Sequence, residues 1–155
     1  MIDEVDAKIV MLLQEDGRLS NAAIAEEVGL TTSTVFDRIK KLEKRGVIKK
    51  YVAVVDPETV GKSITAFIRL VVGVTGNAEY ASCKQAFAEA CVAEPAVLEC
   101  HTIAGDDCYM LKVRVGSPQE LEQLLEKLRS YAHVTKSTTN IVLSTFKEES
   151  TISTS

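Results

Sequence analysis

The spacing of apolar residues changes near residue 47 of this chain. Before that point, apolar residues recur at the intervals of three and four that place them on one face of a helix. Beyond it, short runs rich in β-branched residues are separated by longer helical patterns. A chain of 155 residues is long enough for one ordinary domain or two small ones, and this change of pattern favours two.

The first 46 residues predict three short helices. Each one begins after a residue that caps helix N-termini and ends at a glycine; these pairs are Asp3 and Gly17, Ser20 and Gly29, and Thr31 or Thr32 and Gly46. In the third helix Val35, Ile39 and Leu42 are expected to face the core. Two helices, a glycine turn and a third helix form a helix-turn-helix, whose last helix enters the major groove of DNA. A three-helix domain that binds no DNA would show the same apolar pattern.

The positive charge of this chain is local. The formal net charge is −4, yet residues 38–50 contain seven basic residues and one acid, Glu43. Phosphate binding requires a basic patch on one face rather than a basic protein, so the negative total does not exclude DNA as the partner. A solvated helix face is the alternative interpretation of such a charge run.

Eight residues are candidate DNA contacts. Hydroxyl side chains at the start of the third helix can bind base edges or phosphates, and the basic residues that follow can hold phosphates. The candidates are Thr32, Ser33, Thr34, Arg38 and Lys41, with Arg18, Ser20 and Asn21 as contacts to the DNA backbone. For Arg38 the alternative is an ion pair within the domain, with Glu43 or with an acid of the first helix.

The rest of the chain predicts an α+β domain. Residues 47–55 are expected to form a strand, and a linker follows to residue 62. Four strands and two helices come next in the order β-α-β-β-α-β, which predicts a ferredoxin-like sheet with both helices on one face. The predicted strands are 64–72, 97–103, 107–115 and 134–146, and the predicted helices are 77–92 and 117–129. The expected division is 1–50 for the helix-turn-helix, 51–62 for strand and linker, 63–148 for the ferredoxin-like domain, and 149–155 for a flexible tail.

One face of the predicted sheet has no helix to cover it. In the third strand, Cys108, Met110, Lys112 and Arg114 form a row that is apolar and charged together. Mixed faces of this kind suit a subunit interface, so we expect at least a homodimer. Two recognition helices could then address two half-sites on double-stranded DNA.

Several other classes of protein are disfavoured. No apolar run is long enough to span a membrane and the N-terminus does not resemble a secretory signal, which predicts a cytoplasmic protein. Neither cysteines nor histidines have metal-ligand spacing, and no nucleophile–base set or phosphate loop is present, so we expect no metal, cofactor or enzyme activity. A catalytic thiol at Cys108 is the enzyme alternative, but Asp106 and Asp107 beside it would disfavour the thiolate.

The chain resembles the leucine-responsive regulatory protein (Lrp/AsnC) family of transcriptional regulators. The resemblance covers residues 2–148 and depends on ordered fragments. These are IDEVDAKIV from residue 2, DGRLS from residue 16, AEEVGLT from residue 25, RIKKLEKRGVI from residue 38 and GDDCY from residue 105.

This resemblance implies a winged helix-turn-helix and an amino acid effector bound between C-terminal domains of adjacent subunits. It also implies dimers that assemble into tetramers, octamers or larger rings. The candidate effector residues are Gly105, Asp106, Asp107 and Cys108 on the hairpin, with Ser137 and Thr139 on the last strand. The family often has an acid where this chain has Cys108, and that acid would be a natural partner for the effector's ammonium group. An ordinary Gly-Asp turn is the alternative interpretation of the hairpin.

Two other functions remain open at the level of sequence. An architectural, nucleoid-associated DNA-binding protein without a dedicated effector would have the same helix-turn-helix. It differs from a local regulator in the ratio of its affinities for specific and non-specific DNA. A small-molecule sensor that acts through protein partners is the other, and the basic residues from Arg38 to Lys50 argue against it.

Overall fold

The computed structural model describes residues 2–73, 77–105, 109–131 and 133–154, and only the backbone of residues 77–84. Two compact units are present, one formed by Met1–Val54 with Lys147–Ser155 and the other by Val55–Phe146. The domain boundaries drawn from the sequence, at residues 50, 62 and 148, stay a prediction.

The first unit contains helices α1 (Glu4–Glu15), α2 (Asn21–Val28) and α3 (Thr32–Lys44). All three predicted N-caps are confirmed, because the side chains of Asp3, Ser20 and Thr31 accept hydrogen bonds from backbone N–H groups at 2.7, 3.1 and 3.3 Å. Gly29 and Gly46 have φ of 69° and 71°, the left-handed conformation that glycine adopts at little cost.

The core of this unit is formed by one stripe from each helix. Ile9, Ile24, Val35 and Leu42 are completely buried, and Ile39 is nearly so. The predicted inward face of α3 is therefore confirmed. Burying these side chains removes the third helix's apolar stripe from water and leaves its opposite face exposed.

The strand predicted over residues 47–55 is not formed, which corrects the sequence interpretation. Its β-branched side chains are instead exposed: Val52 by 63%, Val54 by 92% and Val55 by 54%. A strand requires a hydrogen-bonding neighbour, and among the described residues no strand pairs with this segment.

The end of the chain returns to α1. The Gln14 amide donates to the Ile152 carbonyl oxygen at 2.9 Å, and the Ile152 N–H donates to Gln14 Oε1 at 2.7 Å. The Thr154 hydroxyl donates to the Ala7 carbonyl oxygen at 3.2 Å. The tail for which the sequence predicts flexibility is thus attached to α1 by three hydrogen bonds.

The second unit has the predicted β-α-β-β-α-β order. Its elements are β1 (Ile64–Val72), α4 (Asn77–Ala93), β2 (Val97–Thr102), β3 (Tyr109–Val115), α5 (Pro118–Tyr131) and β4 (Val134–Ile141). The sheet is antiparallel with strand order β2-β3-β1-β4, which confirms the ferredoxin-like fold. The last strand is shorter than predicted, since it ends at Ile141 rather than residue 146. Leu143 and Phe146 beyond it are almost fully exposed and have nothing to pack against.

The sheet has one covered and one open face. Ala66, Ile68 and Leu70 of β1 pack with Leu111 and Val113 of β3 beneath the helices, and all are completely buried. The alternate residues form the open face, and they are Thr65, Phe67, Arg69, Val71, Glu99, His101, Met110, Lys112, Arg114, Lys136, Thr138 and Asn140.

The N-terminus of α5 is closed by side-chain hydrogen bonds. The α5 N-terminus is capped by Ser117, which accepts from the Glu120 N–H at 3.1 Å, while Glu120 accepts from the Gly116 N–H at 2.8 Å. These two contacts form a capping box whose return contact lies one residue earlier than usual. In the parts of the chain that the structure describes, no helix is long and apolar enough to cross a membrane.

Candidate DNA-binding surface and effector site

The N-terminus of α3 is an exposed, hydroxyl-bearing surface. Thr31, Thr32, Ser33 and Thr34 are all exposed, and the first turn of the helix contains no acidic residue. The unpaired N–H groups and the dipole of a helix N-terminus favour anions, and here no carboxylate opposes them. This end of α3 can therefore accept a phosphate or the electronegative edge of a base.

The hydroxyl groups at this end have different freedom. The Thr31 hydroxyl is hydrogen-bonded to the Ser33 and Thr34 hydroxyls at 3.1 and 2.8 Å. Thr32 is exposed and does not belong to this cluster. Thr32 can therefore contact a base without any rearrangement of the cap. A contact from Thr34 to a base would compete with the hydrogen bond between the Thr34 and Thr31 hydroxyls.

Arg38 is held by two acids of the N-terminal segment. Its Nη1 donates to Asp3 Oδ2 and Asp6 Oδ1, each at 2.8 Å, and the Asp6 side chain is only 11% exposed. These contacts raise the pKa of Arg38, while a backbone N–H from Asp6 and then the Arg38 guanidinium lower the pKa of Asp3. The alternative considered for Arg38, an ion pair with an acid near the first helix, is what the structure contains.

The basic residues at the C-terminal end of α3 are not equivalent. Lys40 pairs with Glu43 at 3.0 Å, and Glu43 also accepts from the Tyr51 hydroxyl at 3.2 Å. Lys41 and Lys44 are exposed, and across the described ranges neither has an ion-pair partner. Both line a groove of about 520 Å³, and the carboxylates of Asp3, Asp6 and Asp37 line it as well. These two ammonium groups are the ones available for phosphates.

The remaining predicted DNA residues lie at the start of α2. The Ser20 hydroxyl is occupied as the N-cap of that helix, and Asn21 is its first residue. Arg18 is exposed, and its backbone N–H donates to Asp16 Oδ1 at 2.8 Å. All three precede or begin the helix that would cross the DNA backbone in a helix-turn-helix.

The sequence interpretation overlooked Phe36. This side chain is 48% exposed on the outer face of α3, four residues after Thr32 and four before Lys40. The Lys40 ammonium lies 5.8 Å from the centre of its ring. Its position one residue after the inward-facing Val35 could have revealed it, because adjacent helical residues point about 100° apart.

The predicted effector residues are described only in part. Gly105 has a φ of 141°, which favours glycine, whereas Asp106, Asp107 and Cys108 lie outside the described residues. Ser137 and Thr139 are half-buried on the edge strand β4, on the helix-covered side, opposite Leu70 and Ile68 of β1.

Ser137 and the first described residue after the hairpin, Tyr109, lie at the same end of the sheet but on strands that are not neighbours. Leu70 pairs with both Ser137 of β4 and Tyr109 of β3, so β1 separates Ser137 from the strand that follows the hairpin. Two strand spacings amount to roughly 10 Å. A single hydrogen-bonded cluster containing both Ser137 and the hairpin is therefore not formed by the described residues.

The two thiols of the second unit that the structure describes, Cys91 and Cys100, are at least half-buried. Burial raises the pKa of Cys91 to about 12 and also raises that of Cys100, which makes both poor nucleophiles. Within the described ranges, no group of histidine, cysteine, aspartate or glutamate side chains could hold a metal ion. At the end of the sheet away from the hairpin there is a cleft of about 480 Å³, where Glu94 pairs with Lys127 of α5.

The sequence matches two family models that together cover both units. Residues 2–49 match a winged helix-turn-helix DNA-binding domain, and residues 65–152 match the Lrp/AsnC ligand binding domain. The HTH-type transcriptional regulator FL11 of Pyrococcus horikoshii is 37% identical over 147 residues, which is 95% of this chain and 93% of that protein. The HTH-type transcriptional regulator LrpA of Mycobacterium tuberculosis is 36% identical over 146 residues, 94% of this chain and 92% of that protein.

Solved structures have the same fold. A feast or famine regulatory protein from M. tuberculosis, in complex with L-methionine, superposes with a TM-score of 0.87 at 32% identity and covers 98% of this chain and 99% of its own. A transcriptional regulator from Neisseria meningitidis in complex with L-Met gives 0.87 at 28% identity, covering 98% and 96%. Both similarities extend over the helix-turn-helix and the sheet.

Proposed function

This chain belongs to the Lrp/AsnC family of DNA-binding transcriptional regulators, and we propose that it binds operator DNA as an oligomer whose affinity or assembly responds to an amino acid. The observation that carries the DNA part of this proposal is the surface of α3. It combines an exposed hydroxyl-bearing N-terminus, free of acids, with Lys41 and Lys44 on the same helix. We place its activity in the cytoplasm.

In the proposed complex, α3 enters the major groove with its N-terminus first. Thr32 and Ser33 contact base edges, Thr34 lies beside them, and Lys41 binds a phosphate. Arg18, Ser20 and Asn21 contact the DNA backbone from the start of α2. Arg38 contributes by holding α3 against Asp3 and Asp6, because its guanidinium already donates to both acids.

The open face of the sheet and the segment 47–55 support the oligomer. The open face contains apolar side chains, Phe67 and Met110, beside charged ones, Lys112 and Glu99, which pair at 3.7 Å. The exposed valines of residues 52–55 form a β-branched run with unused strand propensity. A second copy would cover both surfaces, and we propose that a homodimer formed in this way assembles into tetramers, octamers or larger rings.

We propose that the effector binds at the hairpin end of the sheet. A zwitterion requires an acid for its ammonium group and N–H or O–H donors for its carboxylate. Gly105, Asp106, Asp107 and Cys108 are the proposed hairpin contacts. Because about 10 Å separates β3 from β4, the hydroxyls of Ser137 and Thr139 reach the same ligand only if an adjacent subunit supplies one of the two sets.

The DNA part is tested by the salt dependence of binding. Each phosphate contact contributes about one unit to the slope of log K against log salt concentration. We expect Lys41→Met to lower the slope by about one for each bound subunit, whereas Arg129→Met, a control at an exposed position of α5 in the other unit, leaves it unchanged. Equal slopes for wild type and Lys41→Met would contradict the assigned phosphate contact.

The effector part is tested by thermal unfolding in the presence of each of the twenty amino acids. Methionine is the first to test, because the two M. tuberculosis and N. meningitidis regulators were solved with it. Binding to the native state raises the free energy of unfolding by about 2.7 kcal/mol when the ligand is at a hundredfold excess over Kd, and the thermal midpoint rises with it. A selective rise that Asp106→Asn abolishes supports the site. No rise with any amino acid would favour the architectural alternative, a DNA-binding protein without a dedicated effector.

A further inference from the structure

Phe36 is an exposed aromatic side chain on the polar outer face of α3, and it does not pack in the core. The core of this unit takes Val35 and Ile39 from α3, and Phe36 is not among the apolar residues that pack against it. Nearly half of the side chain, 48%, is open to solvent. The outer face of α3 therefore contains one large apolar group among hydroxyls and charges.

The neighbours of Phe36 place it in a row along the helix. Thr32 precedes it by four residues and Lys40 follows it by four, and residues at this spacing lie on one face of a helix. With a rise of 1.5 Å per residue, the row spans roughly 12 Å. It starts at the end of α3 that enters the major groove and extends toward the basic end. Phe36 is then within reach of base edges, one turn behind Thr32.

Lys40 limits how the ring can be used. Its ammonium lies 5.8 Å from the ring centre and is also held by Glu43 at 3.0 Å. This cation–π contact covers part of one face of the ring and restricts its rotation. The uncovered part of the ring is apolar. Contact with an apolar group would remove that surface from water, which is favourable.

In the major groove, the apolar group that distinguishes one base from the others is the C5-methyl of thymine. We propose that Phe36 is a specificity-determining residue that reads the C5-methyl group of one thymine in each half-site, with Lys40 holding the ring in place. This proposal rests on the DNA-binding function and adds to it a base preference that hydroxyl contacts alone do not supply.

The first experiment is selection of binding sites from a randomised DNA duplex library, using the full-length protein. Wild type is expected to enrich a thymine at one position of each half-site. Phe36→Ala is expected to lose the preference at that position alone, while Phe36→Leu, the matched control, retains it because leucine keeps an apolar contact. Lys40→Gln is expected to weaken the thymine preference without abolishing it, because the ring loses the cation that holds it, and to leave the salt slope unchanged, because Lys40 is already paired with Glu43.

The second experiment replaces that thymine by uracil in the site selected by wild type. Uracil lacks only the methyl group, and burying one methyl corresponds to an affinity change of about fourfold. We expect the replacement to weaken wild-type binding by about fourfold per half-site and to leave the affinity of Phe36→Ala unchanged. Because Phe36 lies outside the core, the thermal midpoint of Phe36→Ala should remain close to that of wild type.

The outcomes separate this proposal from the underlying function. If wild type and Phe36→Ala select the same bases at every position, or if uracil costs wild type nothing, Phe36 does not read thymine although the protein still recognises operator DNA. If wild type enriches no sequence at all, sequence-specific binding itself fails, and the role of Phe36 fails with it.

Discussion

At the scale of single residues, the basic side chains of α3 divide into two kinds that the sequence does not distinguish. Arg38 is committed to Asp3 and Asp6, whereas Lys41 has no ion-pair partner within the described ranges. From the sequence alone, both are cations that can bind phosphates, and the difference arises from where Asp3 and Asp6 lie. The seven basic residues of positions 38–50 therefore overstate the charge available to DNA.

Replacing Arg38 should affect stability more than DNA binding. Arg38→Met leaves the Asp6 carboxylate, whose side chain is 11% exposed, without its charged donor. A polar group left unsatisfied in this way costs about 1–3 kcal/mol. We expect the thermal midpoint to fall and the salt slope of DNA binding to stay at the wild-type value. A slope lowered as much as in Lys41→Met would show that Arg38 contacts phosphate instead.

The thiol of Cys91 should be inert in the folded protein. Burial raises its pKa to about 12, and the side chain is 1% exposed. At pH 8 the thiolate fraction is then lower than that of a free cysteine by a factor of about a thousand. We expect iodoacetamide to modify Cys91 at least a thousandfold more slowly in buffer than in concentrated urea, as measured by mass spectrometry of its peptide. Comparable rates in the two solvents would contradict the buried, protonated thiol.

At the scale of elements, the parts of the fold that the sequence predicts are those determined by local contacts. Ser20 and Gly29 specify the ends of α2 through their own backbone, and the alternation of Ala66, Ile68 and Leu70 specifies which face of β1 is buried. Patterns of this kind need no knowledge of the rest of the chain.

The features that the sequence did not determine are those that depend on contacts with another part of the chain. Residues 47–55 have the composition of a strand, but no strand among the described residues pairs with them, and β4 ends near the start of β1, where Ile141 pairs with Ala66. Phe36 was missed although its position beside the inward-facing Val35 already indicates that it points outward. For Arg38 the sequence leaves both a DNA contact and an ion pair open, because spacing within a helix does not show which acids of another helix lie opposite.

The contact between Glu94 and α5 should make the second unit sensitive to acid. Lys127 lowers the pKa of Glu94 below the value in the unfolded chain, about 4.3. A carboxyl group whose pKa falls on folding stabilises the native state above its unfolded pKa. That contribution is lost as pH falls through the lower, folded pKa.

The expected consequence is a stability difference that depends on pH. Glu94→Gln should lower the free energy of unfolding of this unit by on the order of 1 kcal/mol at pH 7, and the difference from wild type should shrink between about pH 5 and pH 2. Hydrogen exchange of the buried β3 amides measures it. Glu122→Gln, at an exposed position of α5, is the matched control and should show no such change. A difference that persists at pH 2 would contradict the charge interaction.

At the scale of the whole molecule, the unpaired surfaces of one copy argue for a second. The open face of a four-stranded sheet presents Phe67 and Met110 to solvent, and single sheets with one apolar face gain stability by burying it. A dimer also presents two α3 helices, which raises the effective concentration of the second helix once the first is bound. A substitution that weakens the dimer is therefore expected to lower the affinity for operator DNA as well.

Introducing a charge on the open face separates the subunits if this argument holds. Phe67 is 38% exposed between Lys112 and Asn140 of the neighbouring strands. Phe67→Asp would bury a carboxylate at the interface, so we expect the dimer dissociation constant to rise by at least about a hundredfold, equivalent to about 2.7 kcal/mol. Sedimentation velocity across a range of concentrations measures this change.

The control for Phe67→Asp is Val92→Asp, which adds the same charge at a side chain 86% exposed on α4, away from the open face. We expect Val92→Asp to sediment as wild type does and to retain its DNA affinity, whereas Phe67→Asp sediments as a monomer and loses most of its affinity for a two-half-site duplex. Its affinity for a single half-site should fall far less, because one helix-turn-helix is intact in each monomer. A monomeric Phe67→Asp that bound both duplexes as tightly as wild type would show that assembly contributes nothing to operator binding.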